Sequence, residues 1–132
     1  MIKRILVVDD EPQVREVLAD FLTFKGYEVI LAPDGKSGYA CFLETMPDAA
    51  VVDVEMPVMN GLQFSRSVLK ENIKFPIIII TAFLEKYSKA DIINLGVKEV
   101  LQKPLNLNDL FNRLQRVLSP LACFLMSFYT CL

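Results

Sequence analysis

Five side chains that could do chemistry lie where short apolar segments end, although these segments are far apart in the sequence: Asp9, Asp10, Asp53, Thr81 and Lys103. Carboxylates gathered at one point can bind a hard divalent cation such as Mg²⁺, which prefers oxygen ligands. A hydroxyl and an amine beside them can bind the oxygens of a phosphoryl group. If the apolar segments are strands of one parallel sheet, their carboxyl ends meet at a crevice where such folds bind ligands.

The alternation of apolar and amphipathic segments predicts that sheet. Short apolar runs alternate with longer segments whose apolar residues recur at helical spacing, which is typical of repeated β–α units. Four consecutive isoleucines at residues 77–80 indicate a strand that is covered on both faces. The sequence predicts five strands, near residues 5–8, 27–31, 49–52, 77–80 and 98–101.

Proline, capping residues and glycine predict the helix boundaries. Pro12 fits the first turn of a helix, and Gly26 fits its end. Asp34 is the predicted N-cap of the second helix, and Asn106, with Asp109 three residues later, is that of the last. The predicted helices cover residues 12–25, 35–44, 62–71, 85–95 and 107–118.

Composition excludes several classes of function. The chain has 132 residues, 53% hydrophobic and 23% charged, which suits one folded domain. The net charge is −2 without a basic stripe, so we expect no nucleic-acid binding by this domain. Histidine is absent, which excludes histidine-based metal sites and triads. Three cysteines without metal or redox spacing, and a start without a signal-peptide pattern, predict a cytoplasmic protein without a membrane span.

Four motifs lie at the predicted strand ends: Val7-Val8-Asp9-Asp10-Glu11, Asp53-Val54-Glu55-Met56-Pro57 with Asn60-Gly61, Thr81-Ala82, and Lys103-Pro104. Together they resemble the receiver domain of two-component response regulators, over residues 3–118. The resemblance implies an α/β domain with the flavodoxin-like, doubly wound fold. In that fold a five-stranded parallel sheet of order 2-1-3-4-5 has helices on both faces.

The resemblance also implies a role for each residue. Asp53 would accept a phosphoryl group from a phosphohistidine, forming an aspartyl phosphate. Lys103 and the Thr81 hydroxyl would bind the phosphoryl oxygens, and the Lys103–Pro104 peptide bond would be cis. The implied cofactor is Mg²⁺, for which Mn²⁺ can substitute. Its implied ligands are Asp9, Asp10, Asp53 and the backbone carbonyl of Glu55.

The implied function is a phosphorylation-controlled switch in a two-component phosphorelay, not a stand-alone enzyme. The implied partners are a sensor histidine kinase or phosphotransfer protein and an unknown downstream effector. A homodimer through the face of helix 4, strand 5 and helix 5, or through the C-terminal tail, is left open. Val100 departs from the family, which often has an aromatic residue three positions before the lysine that swings inward on activation.

We expect the receiver over residues 1–118 and an apolar C-terminal tail, without a recognised domain, over residues 119–132. No charged residue occurs from Val117 to Leu132. The segment is too short and too broken to span a bilayer, which takes about 20 apolar residues. Packing back on the domain, burial in a dimer, the start of a truncated segment and a disordered end all remain open.

Two other classes share parts of the pattern. A flavodoxin-like flavin-binding protein would need a loop rich in serine, threonine and glycine after the first strand, where this chain has Asp9-Asp10-Glu11-Pro12. A phosphatase with an aspartate nucleophile would need an Asp-x-Asp motif there, and the chain lacks one. Gly35-Lys36-Ser37 is similar to the end of a P-loop, but Ile30 occupies the position of the required first glycine.

Overall fold

The computed structural model describes residues 1–119, in which a parallel five-stranded sheet lies between two layers of helices. The strand order is β2-β1-β3-β4-β5, as predicted. Among the helices of this part of the chain, none has the length and apolar character needed to cross a bilayer. The elements are β1 (Arg4–Val8), α1 (Pro12–Phe24), β2 (Glu28–Ala32), α2 (Gly35–Thr45), β3 (Ala49–Asp53), α3 (Gly61–Glu71), β4 (Ile77–Thr81), α4 (Lys89–Asn94), β5 (Glu99–Gln102) and α5 (Leu107–Leu118).

Two hydrophobic clusters cover the two faces of the sheet. Ile77 and Ile79 of β4 belong to one cluster, with side chains of α2, α3 and α4. Ile78 and Ile80 belong to the other, with side chains of α1 and α5. All four isoleucines are buried, so the prediction that this strand is covered on both faces is confirmed.

Helix α4 is shorter than predicted, since it begins at Lys89 and not near residue 85. The Ser88 hydroxyl accepts a hydrogen bond from the Asp91 amide and caps the helix there. Before the cap, the amides of Lys86 and Tyr87 donate to the carbonyl of residue 83 in a separate turn. A single turn and a helix share the same apolar spacing, so periodicity alone extended the predicted helix too far.

Asp34 caps α2, as predicted. Its Oδ1 atom accepts hydrogen bonds from the Ser37 amide at 2.8 Å and from the Ser37 hydroxyl at 2.6 Å. These bonds, the hydroxyl first, lower the pKa of Asp34 below its ordinary value of 3.8. The predicted cap of α5 is also confirmed, because Asn106 Oδ1 accepts from the Asp109 amide at 3.0 Å.

The Asp34→Ala substitution should lower the free energy of unfolding by about 1 kcal/mol at neutral pH, because the first turn of α2 loses its acceptor. A carboxyl whose pKa is depressed by folding stabilises the fold above its unfolded pKa, here 3.8. The difference in the free energy of unfolding between wild type and Asp34→Ala should therefore become smaller as the pH falls below 3.8. Urea unfolding at neutral and at acidic pH, with the exposed Asp20→Ala as control, measures both effects. A difference that grows on acidification would contradict the capping role.

The described part of the chain ends at Ser119, just after α5. The expectations for the tail concern residues 120–132 and lie outside the described residues. Helix α5 ends at Leu118, and the division into a receiver over residues 1–118 and a tail over residues 119–132 stays a prediction.

Candidate functional site

The register of the sheet brings the predicted site residues together. Strands β1, β3, β4 and β5 are consecutive neighbours in the sheet and run parallel. Their carboxyl ends therefore meet at one edge, and the residues that end or follow them surround one crevice. These residues are Asp9, Asp10, Asp53, Thr81 and Lys103.

Three carboxylates lie close together at this edge. Asp9, Asp10 and Asp53 each have a carboxylate oxygen within 4.8 Å of the others. Asp9 and Asp53 are buried, at 2% and 3% exposure, whereas Asp10 is open to solvent. Buried carboxylates at such distances repel one another unless a cation neutralises them. An all-oxygen donor set with one solvent-facing member fits Mg²⁺, which usually keeps several waters.

Lys103 provides a positive charge at the site. Its Nζ atom lies 3.4 Å from Oδ2 of Asp53 and 3.9 Å from Oδ2 of Asp9. The Lys103–Pro104 peptide bond is cis, as the resemblance implied. One ammonium group facing three carboxylates leaves the crevice with a net negative charge that can accept a divalent cation.

Burial dominates the electrostatics of the two inner carboxyls. Burial first and the neighbouring Asp9 carboxylate second, against the opposing charge of Lys103, together raise the pKa of Asp53 from 3.8 to about 6. Burial also raises the pKa of Asp9, against a hydrogen bond from the Glu11 amide at 2.9 Å and the charge of Lys103. Both carboxylates are therefore costly anions in the absence of a further cation.

Thr81 ends β4, and Glu55 follows the end of β3 by two residues. Thr81 is fully buried, and its Oγ1 atom accepts a hydrogen bond from the Phe83 amide at 3.0 Å. Its hydroxyl hydrogen can be donated in turn, since a hydroxyl is both donor and acceptor. The Glu55 amide lies 3.4 Å from Oδ1 of Asp53 and donates to it. Oε1 of Glu55 is buried without a hydrogen-bond partner in the described part of the chain.

Arg15 was missed in the sequence, although it supports the loop that carries the acidic pair. Its Nη1 atom donates to the backbone carbonyl of Asp9 at 2.7 Å. A cation in the first turns of a helix opposes the macrodipole unless it has another partner. Arg15 is the fourth residue of α1. This unfavourable position for a cation was the signal in the sequence that Arg15 bonds back to the loop after β1.

Gly61 allows α3 to approach the end of β3. It is the first residue of α3, and a Cβ atom there would overlap the carbonyl of Asp53 and lie 2.9 Å from Cα of Val54. Backbone atoms cannot move aside as the end of a flexible side chain can. The absence of a side chain at Gly61 therefore helps to position Asp53.

The Gly61→Ala substitution should lower the free energy of unfolding by about 1–3 kcal/mol, because the new methyl group forces α3 away from β3. Urea unfolding measures the loss, and Arg66→Ala, at an exposed position of the same helix, is the control. A Gly61→Ala protein as stable as wild type would show that the contact between α3 and β3 is not tight.

Comparison with known proteins gives the family. Residues 5–115 match the family model described as the response regulator receiver domain. The chain belongs to this family. The response regulator MprA of Mycolicibacterium vanbaalenii is 37% identical over 115 residues, which cover 87% of this chain and 50% of MprA. The regulatory protein AtoC of Escherichia coli is 31% identical over 117 residues, 89% of this chain and 25% of AtoC. This receiver domain thus spans half the length of one relative and a quarter of the other.

Solved structures agree with this assignment. Chemotaxis protein CheY4 of Vibrio cholerae is 32% identical with a TM-score of 0.82, over 89% of this chain and 99% of CheY4. Response regulator TrrA of Thermotoga maritima, solved in complex with Mg²⁺-BeF, is 32% identical with a TM-score of 0.80, over 88% and 99% of the two chains. The predicted flavodoxin-like fold is confirmed. The chain is a receiver domain of the two-component response regulators, a family of signalling switches. The family match favours this family over the flavin-binding and phosphatase families.

Proposed function

We propose that this receiver, residues 1–118, accepts a phosphoryl group on Asp53 and acts as a phosphorylation-controlled switch in the cytoplasm. The donor is a phosphohistidine of a sensor histidine kinase or phosphotransfer protein. A downstream effector responds to the phosphorylation state of the receiver. The observation that carries the proposal is the buried Asp53 carboxylate, with Lys103 at 3.4 Å and two further carboxylates beside it.

Asp53 is the nucleophile of the proposed reaction. A carboxylate oxygen of Asp53 attacks the phosphorus, a new P–O bond forms, and the P–N bond to the donor imidazole breaks. With a pKa of about 6, Asp53 is mostly ionised at neutral pH and can attack. Lys103 faces the charge on the transferred group, and the Thr81 hydroxyl donates to one of its oxygens. The chain thus contributes mainly positioning and charge neutralisation, as is usual in phosphoryl transfer.

The proposed ligands of Mg²⁺, or of Mn²⁺ in its place, are the carboxylates of Asp9, Asp10 and Asp53 and the backbone carbonyl of Glu55. Their all-oxygen chemistry and the 4.8 Å spacing of the carboxylates support this assignment. When bound, the cation would supply positive charge that neutralises the carboxylates and the phosphoryl oxygens. The TrrA complex with Mg²⁺-BeF is consistent with such a site in a receiver of the same fold.

The conformational response to phosphorylation has to proceed without an aromatic side chain at position 100, because this chain has valine there. Val100 is buried in the cluster on the face of the sheet that packs α2, α3 and α4. We propose that a shift of the Thr81 hydroxyl toward a phosphoryl group releases the Phe83 amide, which it now holds at 3.0 Å. Because residue 83 begins the turn before α4, the shift would reach the face of α4, β5 and α5 through the backbone.

Incubation with acetyl phosphate and Mg²⁺, followed by intact mass spectrometry, tests the proposed acceptor. The wild-type chain should gain the mass of one phosphoryl group, and chelation of the metal should suppress the gain. Asp53→Asn should gain none, whereas the exposed Asp20→Asn should react like wild type. Equal labelling of Asp53→Asn and wild type would overturn the assignment of Asp53.

A further inference from the structure

The start of α2 lies against the loop that joins β3 to α3. Gly35, the first residue of α2, is buried, and a Cβ atom there would overlap the backbone carbonyl oxygen of Met59 and lie 2.8 Å from its Cγ atom. The φ angle of Gly35 is not positive, so its backbone conformation suits alanine as well as glycine. The need for glycine at this position therefore comes from the space that Met59 occupies.

The β3–α3 loop, residues 54–60, is held by hydrogen bonds at its two ends. The Val54 carbonyl accepts hydrogen bonds from the amides of Met56 and Gly61, both at 3.0 Å. The Asn60 side chain caps α3 at the end of the loop. The middle of the loop lies between these two sets of bonds.

Val58, in the middle of the loop, has a backbone conformation that its own side chain disfavours. Its φ angle is 67°, in the left-handed region, where a β-branched residue is strained. The side chain is 94% exposed, so burial of its apolar surface does not offset the strain. The next residue, Met59, packs against the hydrophobic cluster on the α2 and α3 side of the sheet and against Gly35. The contacts of Met59 therefore support the strained conformation of its neighbour.

The same loop carries groups of the proposed metal and phosphoryl site. It begins directly after Asp53, and the Glu55 amide donates to Oδ1 of Asp53 at 3.4 Å. The Glu55 backbone carbonyl is a proposed ligand of Mg²⁺. A displacement of the loop therefore moves this carbonyl relative to Asp53, although Gly35 belongs to a different element and is no ligand.

We propose that Gly35 is a positioning residue for the binding of Mg²⁺. By leaving room for Met59, it holds the β3–α3 loop in the conformation that sets the position of the Glu55 carbonyl. A Cβ atom at position 35 displaces the loop and weakens metal binding without removing any proposed ligand. The inference rests on the proposed function, because it concerns the same metal site.

Titration of the isotope-labelled protein with MgCl₂, followed through backbone amide shifts by NMR, tests the proposal without a phosphoryl donor. Gly35→Ala should raise the dissociation constant for Mg²⁺ at least about tenfold, as expected when a metal ligand loses its supporting contacts. The amides of residues 54–60 should also shift in the metal-free protein.

The matched control is Gly26→Ala. Gly26 has a φ angle of 98° and no atom within 4 Å of an added Cβ, so alanine there strains only the backbone after α1. This position lies at the end of α1 that is remote from the crevice. Gly26→Ala should therefore lose stability in urea unfolding but bind Mg²⁺ as tightly as wild type.

Met59→Ala tests the same contact from the loop and adds no clash, so it serves even if Gly35→Ala folds poorly. Its dissociation constant for Mg²⁺ should rise by a smaller factor, because the backbone of the loop still lies against Gly35. In both variants the labelling of Asp53 by acetyl phosphate should be slow at low Mg²⁺. At saturating Mg²⁺ it should return to within about twofold of the wild-type rate, since binding and not chemistry is impaired.

Three outcomes would overturn the proposal, and they differ in what they leave standing. If wild type, Gly35→Ala and Met59→Ala bind Mg²⁺ equally tightly, the support of the loop is not needed and the proposed metal site stands. If Gly26→Ala loses as much affinity as Gly35→Ala, the loss reflects general destabilisation. If wild type binds no Mg²⁺, the proposed metal site itself fails, and the role of Gly35 fails with it.

Discussion

Replacing Lys103 by methionine should slow the phosphorylation of Asp53 by about 100- to 1,000-fold, the usual effect of removing one group that stabilises a transition state by charge. Methionine has a similar length but no charge. The ammonium group lies 3.4 Å from Asp53 and 3.9 Å from Asp9, so its loss leaves the two buried carboxylates without their lysine partner. The incoming phosphoryl oxygens lose the same partner.

The rate of mass gain with acetyl phosphate and Mg²⁺ measures this effect. Lys89→Met, in which an exposed lysine of α4 is lost, should react at the wild-type rate and controls for the change in net charge. Lys103→Arg keeps the charge but changes its shape, so only part of the rate should return. A Lys103→Met protein that reacts as fast as wild type would remove this residue from the proposed site.

In the absence of metal, Asp53→Asn should be more stable than wild type at neutral pH, by about 1–3 kcal/mol. Burial and the Asp9 carboxylate raise the pKa of Asp53 from 3.8 to about 6, although the charge of Lys103 opposes the rise. A change of that size corresponds to about 3 kcal/mol of unfavourable ionisation in the folded state. Asparagine keeps the shape of the side chain and removes the charge.

The pH dependence of this effect has a definite sign. Between about pH 6 and pH 3.8 the folded chain holds a proton on Asp53 that the unfolded chain has released. Acidification through this interval should therefore stabilise the metal-free wild type relative to Asp53→Asn, and the two proteins should converge in stability. Urea unfolding of the two proteins with a chelator present, at neutral pH and near pH 3.8, compares their free energies of unfolding.

Addition of Mg²⁺ at neutral pH should raise the stability of wild type more than that of Asp53→Asn, because binding to the folded state alone stabilises it. Asp20→Asn, which removes a carboxylate from the exposed side of α1, should respond as wild type does. If the metal-free wild type is instead more stable than Asp53→Asn at neutral pH, the buried carboxylates do not carry the repulsion inferred for them.

Much of the fold could be predicted because the signals are local. Four consecutive isoleucines at residues 77–80 require cover on both faces, and each face has its own cluster. Asp34 and Asn106 cap helices through hydrogen bonds to residues three positions later, a spacing visible in the sequence. The grouping of site residues also followed from local signals, since parallel strands bring their carboxyl ends to one edge.

The missed features depend on contacts between distant segments. The bond from Arg15 to the Asp9 carbonyl depends on how α1 leaves the loop after β1. The fit of Gly61 against Asp53 depends on the distance between α3 and β3. Helix α4 begins at Lys89, whereas the sequence predicted a start near residue 85. The prediction was too early because apolar spacing does not separate a lone turn from the first turn of a helix.

Borohydride reduction of the phosphorylated protein, followed by peptide sequencing in the mass spectrometer, tests most directly whether Asp53 is the acceptor. An acyl phosphate is reduced to an alcohol, so an aspartyl phosphate becomes homoserine, whereas free carboxylates do not react. We expect homoserine at position 53 in wild type and at no position in Asp53→Asn. Homoserine at position 9 or 10, or a phosphoryl group on a hydroxyl that resists reduction, would contradict the assignment of Asp53 as the phosphoryl acceptor.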